Sequence, residues 1–318
     1  MVFNNVTVYG GGLIGSGWAV SFITHGVNVK VFDVDKVQLQ ATEVRIKKAL
    51  DFLSEPGINV LTEEQKQECL KRIAYTTDAS VAVERADFIQ ENGPEKLATK
   101  QSIIKEIEKY NSTAIIASST SGLLVTEIAK YARYPERIIG GHPFHPVYLV
   151  PLVELAKGQM TSQSAIDKAY QFYKEIGKEP IVLQKECKGF ICNRLQNALN
   201  REAQDLVYRG VCTVEDVDKA LTFGPGLRWA LMGPHLILEL AGGADGIRGC
   251  LTRYGNSEEM YLDMAKWTKR PEGYIDIACD GVKEELNNRS LNEGRDQEGL
   301  ERFRDLGLIN LLKFHGKI

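Results

Sequence analysis

Four polar residues stand where their types and surroundings could do chemistry: Ser121 in Ala-Ser-Ser-Thr-Ser-Gly, His142 in Gly-His-Pro-Phe-His-Pro, Glu154 in Pro-Leu-Val-Glu-Leu and Asn193 in Gly-Phe-Ile-Cys-Asn-Arg. Oxidising a secondary alcohol needs a base for the hydroxyl proton while hydride leaves, and imidazole has the side-chain pKa suited to that task near neutrality. His142 is the candidate base. A carboxylate on an apolar strand is costly unless paired, so Glu154 is expected to orient the His142 ring and stabilise its imidazolium. Ser121 and Asn193 are expected to hold the alcohol or developing carbonyl oxygen. Each has a plainer reading: a His beside Pro as a turn residue, Ser121 as a cap for the helix after Gly122, and Asn193 as a cap near the first helix of the second half.

Hydride also needs an acceptor. Gly10-Gly11-Gly12-Leu13-Ile14-Gly15 fits G-x-G-x-x-G after an apolar run, Val6 to Tyr9, and opens a helical pattern from about Leu13 to Thr24. A second strand, Val29 to Phe32, completes a βαβ unit and ends at Asp33. In that context Gly10, Gly12, Leu13, Ile14 and Gly15 are candidate pyrophosphate contacts at a helix start. Asp33 is the candidate acceptor for the ribose hydroxyls. A carboxylate there repels a 2′-phosphate and no Arg adjoins it in the chain, so NAD is expected rather than NADP. Asp35 reads as the cap of the helix that starts at Lys36.

The elements that must position these residues follow an alternating pattern. Lys36 to Phe52 and Glu63 to Arg72 read as a helical hairpin inserted before the sheet resumes. Strands are expected at Phe88 to Gln90, Ala114 to Ala117, Ile138 to Gly140, Leu152 to Leu155 and Ile181 to Leu183, with helices near Lys96 to Lys109 and Ser164 to Ile176. Past Lys188 and Gly189 only helical patterns remain, starting with Phe190 to Tyr208 and Val214 to Leu221. The expected architecture is an α/β Rossmann-type domain with a mostly parallel sheet over 1–187, then a smaller all-α domain over 188–318 for substrate binding and dimerisation, with the site between them.

Composition narrows the function classes. The 318 residues are 43% hydrophobic and 25% charged, enough to bury full cores in two domains. Lys plus Arg number 39 against 42 for Asp plus Glu, so no basic field exists for nucleic acid or anionic lipid. The first residues lack a leader pattern and no run approaches roughly 18 apolar residues, so a cytoplasmic protein with no membrane segment is expected. Six scattered cysteines without metal-ligand spacing point to reduced thiols and no metal.

The segments Ser118 to Leu124, Gly141 to Glu154 and Phe223 to Ala230 carry a resemblance over almost the whole chain to the 3-hydroxyacyl-CoA dehydrogenase superfamily. Within it, the sequence is most similar to the branch of L-carnitine dehydrogenase and lambda-crystallin (L-gulonate 3-dehydrogenase). The resemblance implies that His142 and Glu154 are the catalytic pair, with Ser121 and Asn193 beside them. It further implies that Glu95 and Lys100 contact the nicotinamide side of NAD; without it, both read as surface charges at a helix start. It also implies a homodimer through the C-terminal domain, for which Leu231 to Leu240 offers an apolar face.

Two departures bear on substrate. His145 stands where the family usually has Asn, placing a titratable ring near cofactor and substrate. Leu227-Arg228-Trp229 matches the small-acid branch, which favours a free acid over a CoA thioester. A carnitine-like substrate has a quaternary ammonium that cannot donate hydrogen bonds and so needs aromatic faces. Phe144, Tyr148, Phe223 and Trp229 are candidate cage members, or core fillers. Arg228 could pair with a substrate carboxylate or brace an interface. The expected activity is NAD-dependent oxidation of a small L-3-hydroxy acid, carnitine-like substrates favoured. The alternatives are a short-chain L-3-hydroxyacyl-CoA dehydrogenase with Lys47 and Lys48 on CoA phosphates, an L-gulonate 3-dehydrogenase, or a non-catalytic NAD-binding scaffold.

Overall fold

The computed structural model describes residues 1–254 and 258–318. Strand β1 (Asn5–Tyr9), helix α1 (Leu13–Ile23) and β2 (Asn28–Phe32) form the expected βαβ unit. Both strands are central, so their Val and Phe side chains are buried. Helix α1 is buried along Gly15 to Ile23, small residues alternating with Trp18 and Phe22, and lies against the sheet with little polar surface. Helix α2 (Lys36–Ser54) starts at Asp35, whose carboxylate accepts from Val37 N at 2.8 Å. A Thr62–Gln65 capping box opens α3 (Glu63–Leu70), which ends short of the expected Arg72.

The expected helical hairpin is not the whole of the segment between β2 and the strand at Phe88. The sheet resumes earlier, with β3 (Ile73–Thr76), then α4 (Ala79–Val83) capped by Asp78, before β4 (Phe88–Glu91). Strand β3 is a half-exposed edge strand of four residues, Ile-Ala-Tyr-Thr, with too short an apolar run to be seen in the sequence. Then come α5 (Leu97–Tyr110), β5 (Ile115–Ser118), α6 (Val125–Ile128), β6 (Ile138–Pro143), β7 (Leu152–Lys157), α7 (Gln163–Glu175) and β8 (Glu179–Val182). The eight strands form one sheet in the order β3-β2-β1-β4-β5-β6-β7-β8. All pairs are parallel except β6–β7.

This order decides where the site can be. The C-terminal ends of β1, β2, β4, β5 and β6 share one sheet edge, and the order reverses between β1 and β4, where open α/β sheets bind ligands. Gly10, Asp33, Glu91, Ser118 and His142 lie at those ends.

The remaining helices are α8 (Cys192–Tyr208), α9 (Val214–Phe223), α10 (Pro225–Trp229), α11 (Pro234–Ala241), α12 (Gly246–Tyr254), α13 (Glu258–Asp263), α14 (Tyr274–Asn288) and α15 (Gln297–Phe314). The chain divides into two units, 1–194 with 308–318, and 195–307. Residues 308–318, expected in the second domain, belong with the sheet because Ile309 and Leu312 are buried in the core that holds Val8, Trp18 and Phe22. Within the helical unit, Asp205 accepts from Trp267 Nε1 at 3.1 Å and Arg209 pairs with Asp263 at 3.1 Å. Among the described residues no helix is long and apolar enough to cross a membrane.

Candidate active site

The glycine turn is held from both sides. Gly10 has φ +104°, a conformation that L side chains rarely adopt, and a Cβ there would also meet Asn92 O at 2.9 Å. A Cβ at Gly15 would run into the Gly10 carbonyl, so that glycine lets α1 start against the turn. The Gly11 N–H donates to Asp33 Oδ2 at 2.9 Å, which couples the turn to the acid at the end of β2. From α2, Thr42 Oγ1 (2.5 Å), Gln38 Nε2 (3.1 Å) and Arg45 Nη1 (3.3 Å) all donate to Gly11 O. The sequence reading missed this brace, Arg45 included, because α2 must fold back on the turn to make it.

These residues fit a dinucleotide. A Cβ at Gly12 would meet nothing within 4 Å, and no side chain caps α1, so the backbone amides of Leu13 and Ile14 begin the helix beside open space. Asp33 stands at the strand end suited to ribose hydroxyls.

At the end of β4 and β5 lies a buried ionic cluster. The Lys100 ammonium, 1% exposed, donates to Glu91 Oε1 (3.1 Å), Glu91 Oε2 (3.0 Å) and Gly93 O (3.1 Å), and lies 3.6 Å from Glu95. Glu91 is fully buried and also accepts from Ser118 Oγ at 2.5 Å and Gly93 N at 2.6 Å. Lys100 is therefore no surface charge. Glu91 was missed, although a carboxylate closing the apolar run Phe88 to Gln90 is the same signal that singled out Glu154. Glu95 Oε1 accepts from Thr120 Oγ1 (2.7 Å), Ser121 N (2.9 Å) and Gly122 N (3.1 Å). Burial alone raises the Glu95 carboxyl; the Thr120 hydroxyl, the Lys100 charge and these amides outweigh it and hold it below the ordinary value.

His142 and Glu154 are directly opposed residues of the antiparallel β6–β7 ladder, so both side chains leave the same face. His142 Nδ1 lies 2.8 Å from Glu154 Oε2, with both groups buried. Glu154 Oε1 accepts from Ile191 N (2.9 Å) and Cys192 N (3.0 Å). Burial raises the Glu154 carboxyl, but the His142 hydrogen bond and these two amides outweigh it and keep the group ionised. A carboxylate only accepts, so His142 Nδ1 carries the proton that faces Glu154, which leaves Nε2 as the nitrogen turned away from the pair. Burial and the Glu154 charge push the Cys192 thiol up to about 11, which makes it no nucleophile at neutral pH.

The amides that hold Glu154 are aimed by a turn the sequence reading did not single out. Gly189 (φ +77°) and the fully buried Phe190 (φ +49°) are both left-handed, and a non-glycine there stores strain. The Phe190 ring packs on His142 at 5.6 Å between centroids, and Phe144 meets the same ring edge-on at 4.9 Å. Just past this turn, Asn193 Nδ2 donates to Ser121 O at 2.8 Å. One short segment, 190–193, thus ties the His–Glu pair to Ser121. Ser121 does not cap α6: that helix has Leu124 as its N-cap without a side-chain bond, and it is Thr120 Oγ1 that accepts from Leu123 N at 3.0 Å.

The candidate substrate residues separate. His145 is exposed and forms a cis peptide with Pro146, whereas Tyr148 packs against the main core. Phe223, Arg228 and Trp229 are exposed on α9 and α10 of the helical unit.

A glycine turn suited to a dinucleotide and a carboxylate-held imidazole on one sheet edge define the class of a nicotinamide-dependent dehydrogenase. Residues 5–187 match the NAD binding domain of 3-hydroxyacyl-CoA dehydrogenase and 189–271 match its C-terminal domain. The chain belongs to the 3-hydroxyacyl-CoA dehydrogenase family, as an NAD-dependent oxidoreductase acting on the CH–OH group of a 3-hydroxy substrate. It is 40% identical over 315 residues, covering 97% of this chain and 91% of the other, to an L-carnitine dehydrogenase of Bacillus cereus. Among solved structures it is similar to 5-formyl-3-hydroxy-2-methylpyridine 4-carboxylic acid 5-dehydrogenase, an NAD⁺-dependent dismutase, at TM-score 0.79 and 26% identity over 98% of each chain. It is similar also to (S)-3-hydroxybutyryl-CoA dehydrogenase from Ralstonia eutropha, at TM-score 0.66 and 28% identity over 83% of this chain and 91% of that one.

Proposed function

We propose that this enzyme oxidises the 3-hydroxyl of a small L-3-hydroxy acid to the 3-keto acid, with a carnitine-like substrate favoured. The observation that carries the chemistry is the 2.8 Å contact between His142 Nδ1 and the buried Glu154 carboxylate. Neutral His142 takes the hydroxyl proton at Nε2, and Glu154 stabilises the imidazolium that results. Ser121 and Asn193, bonded to each other, hold the reacting oxygen. Gly10, Gly12, Leu13, Ile14, Gly15 and Asp33 hold the dinucleotide, with Glu95 on its nicotinamide side and Lys100 fixing Glu95. NAD, when bound, accepts the hydride from C3.

The free-acid reading is supported by the 40% identity to a protein named L-carnitine dehydrogenase and by the aromatic Phe144 against the catalytic ring. Tyr148, packed in the core, is a weaker cage member than Phe144. Arg228 and Trp229, exposed on the helical unit, remain candidate substrate residues in this reading. The acyl-CoA alternative has the family's name behind it; of its two candidate phosphate contacts, Lys47 and Lys48, Lys47 makes an exposed ion pair with Glu43 at 2.8 Å, a weak contact that a phosphate could replace.

The test is NADH formation at alkaline pH with L-carnitine, L-gulonate, L-3-hydroxybutyrate and L-3-hydroxybutyryl-CoA side by side, each repeated with NADP. Saturable turnover of carnitine with NAD supports the proposal. Turnover of the thioester alone moves the chain to the acyl-CoA branch, and NAD binding without turnover of any leaves an untried hydroxy acid as substrate or a scaffold. We further propose a homodimer through the helical region, where Leu236 and Leu240, four apart on α11, are exposed in the single chain. Light scattering that returned a monomer would refute it. We also propose a reducing, cytoplasmic setting, which fits the scattered spacing of the six cysteines in the sequence.

A further inference from the structure

We infer that Lys178 is a positioning residue for substrate: its buried ammonium fastens the loop 144–150, which carries Phe144, His145 and Tyr148, onto the cofactor helix α1. The kinetic consequence rests on the proposed reaction, whereas the structural tie stands alone.

Lys178 lies between α7 and β8, directly after Gly177. Its Nζ donates to Val147 O and to Val150 O (3.2 Å) and sits 5.4 Å from the centroid of the Trp18 ring on α1. The Ser21 hydroxyl, one turn further along α1, lies 3.3 Å from the same Val147 carbonyl and 3.2 Å from Gly17 O, its single proton shared between the two. Trp18 Nε1 donates to Ser119 Oγ at 3.1 Å, and Gln90 Nε2 donates to that oxygen at 2.9 Å and to Gly141 O, next to His142, at 3.2 Å. Tyr173, from α7, closes the network by donating to Gln90 Oε1 at 2.5 Å. The loop, the cofactor helix and the strand carrying the base are thus one hydrogen-bonded body around Lys178 and Gln90.

The choice of lysine is informative. Burial with no acidic partner acting on it holds its ammonium down to about 7, and the titratable neighbour facing it is His25, just beyond the end of α1. A Met of similar length would fill the space without that cost. What Met cannot do is bond two loop carbonyls. A neutral amine still has two N–H donors for the two loop carbonyls, so these bonds survive deprotonation and only the cation–π attraction to Trp18 is lost.

The test uses the full chain with Lys178→Met, Ser21→Ala and, as a core control in α2, Leu53→Ala. The amides of Leu149 and Val150, both bonded to Pro146 O, report the loop by hydrogen exchange. Lys178→Met is expected to speed their exchange about tenfold and raise the substrate KM roughly tenfold, with kcat within about twofold and NAD affinity unchanged. Leu53→Ala, which truncates the core from α2 and removes no hydrogen bond of the loop, is expected to move neither. Faster exchange with an unchanged KM overturns the substrate role, and unchanged exchange overturns the tie itself. If Lys178→Met does not fold, Ser21→Ala carries the same two readouts, smaller shifts supporting the inference and none overturning it. Wild-type silence on every 3-hydroxy substrate removes the reaction and the kinetic role with it, while the exchange result separately decides the tie.

Discussion

Glu154 lies directly across the β6–β7 ladder from His142, and its two oxygens are divided between the imidazole and the amides of Ile191 and Cys192. The pair is therefore rigid from three directions: two strands fix its separation, and the left-handed turn at Phe190 aims the amides that fix the carboxylate.

Glu154→Gln removes the charge and can turn its amide N–H toward Nδ1, selecting the wrong tautomer. A loss in kcat of roughly 10²- to 10⁴-fold is expected, with NAD affinity retained. His142→Ala is expected to lose as much, and the double variant little more, because the two act as a unit. Steady-state rates alongside NAD titration check this; near-normal turnover of either single variant would end the assignment.

Acid should destabilise the sheet unit partly through Glu154 and Glu95. Both carboxyls are held below the ordinary value, so as pH falls the unfolded chain takes up protons first. Their contribution is complete above about pH 5 and is lost as pH drops through the ordinary carboxylate range toward the depressed folded values. Urea midpoints from pH 7 to pH 3 should fall less steeply in Glu154→Gln.

Lys178 works in the opposite direction. Its folded pKa of about 7 is below that of an exposed lysine, so between about pH 7 and pH 10 the unfolded chain binds the extra proton. Stability from this group rises with pH across that window, by up to ~1.4 kcal/mol per unit, and is least below pH 7. His25, the titratable group facing it, is held neutral by burial and adds no opposing charge there. Guanidinium melts at pH 7 and pH 9.5 should show the gain in wild type and its absence in Lys178→Met.

Lys100→Met strands Glu91 as an unpaired buried carboxylate and is expected to cost about 3–5 kcal/mol. Replacing both residues with apolar ones should recover much of that loss, which separates the stranded charge from lost packing. Denaturant titration of the three variants decides between them.

Asp33→Ser removes both the ribose acceptor and the anchor of Gly11 N–H. The NAD KM should rise and the preference over NADP shrink, each by roughly tenfold or about 1.4 kcal/mol. An unchanged NAD/NADP ratio would show that Arg45 or another group sets cofactor choice.

Much of the site could be read from short segments. The glycine turn needs glycine at fixed offsets between a strand and a helix, and Asp35 and Thr62 cap helices within their own first turn; these demands are local and leave a local trace. His142, Glu154 and Ser121 stood out as polar types in apolar or turn-rich runs. Other residues left no such trace. The four-residue edge strand β3 lacks an apolar run because one side meets solvent. Arg45 reads as an ordinary helix charge until α2 folds onto Gly11. Lys100 reads as a surface lysine until β4 and β5 enclose it.

Periodicity and turn chemistry act over a few residues, so the alternating α/β order, the dinucleotide turn and the candidates for base and carboxylate are legible in the chain alone. That β6 and β7 run antiparallel in a register that opposes His142 to Glu154 emerges from the folded sheet. The fold likewise brings Glu91 into a buried cluster with Lys100, lets Lys178 reach two carbonyls of a loop far from it in the chain, and returns residues 308–318 to the first core. Those relationships depend on strand register and burial, which many distant residues set together and no short segment encodes.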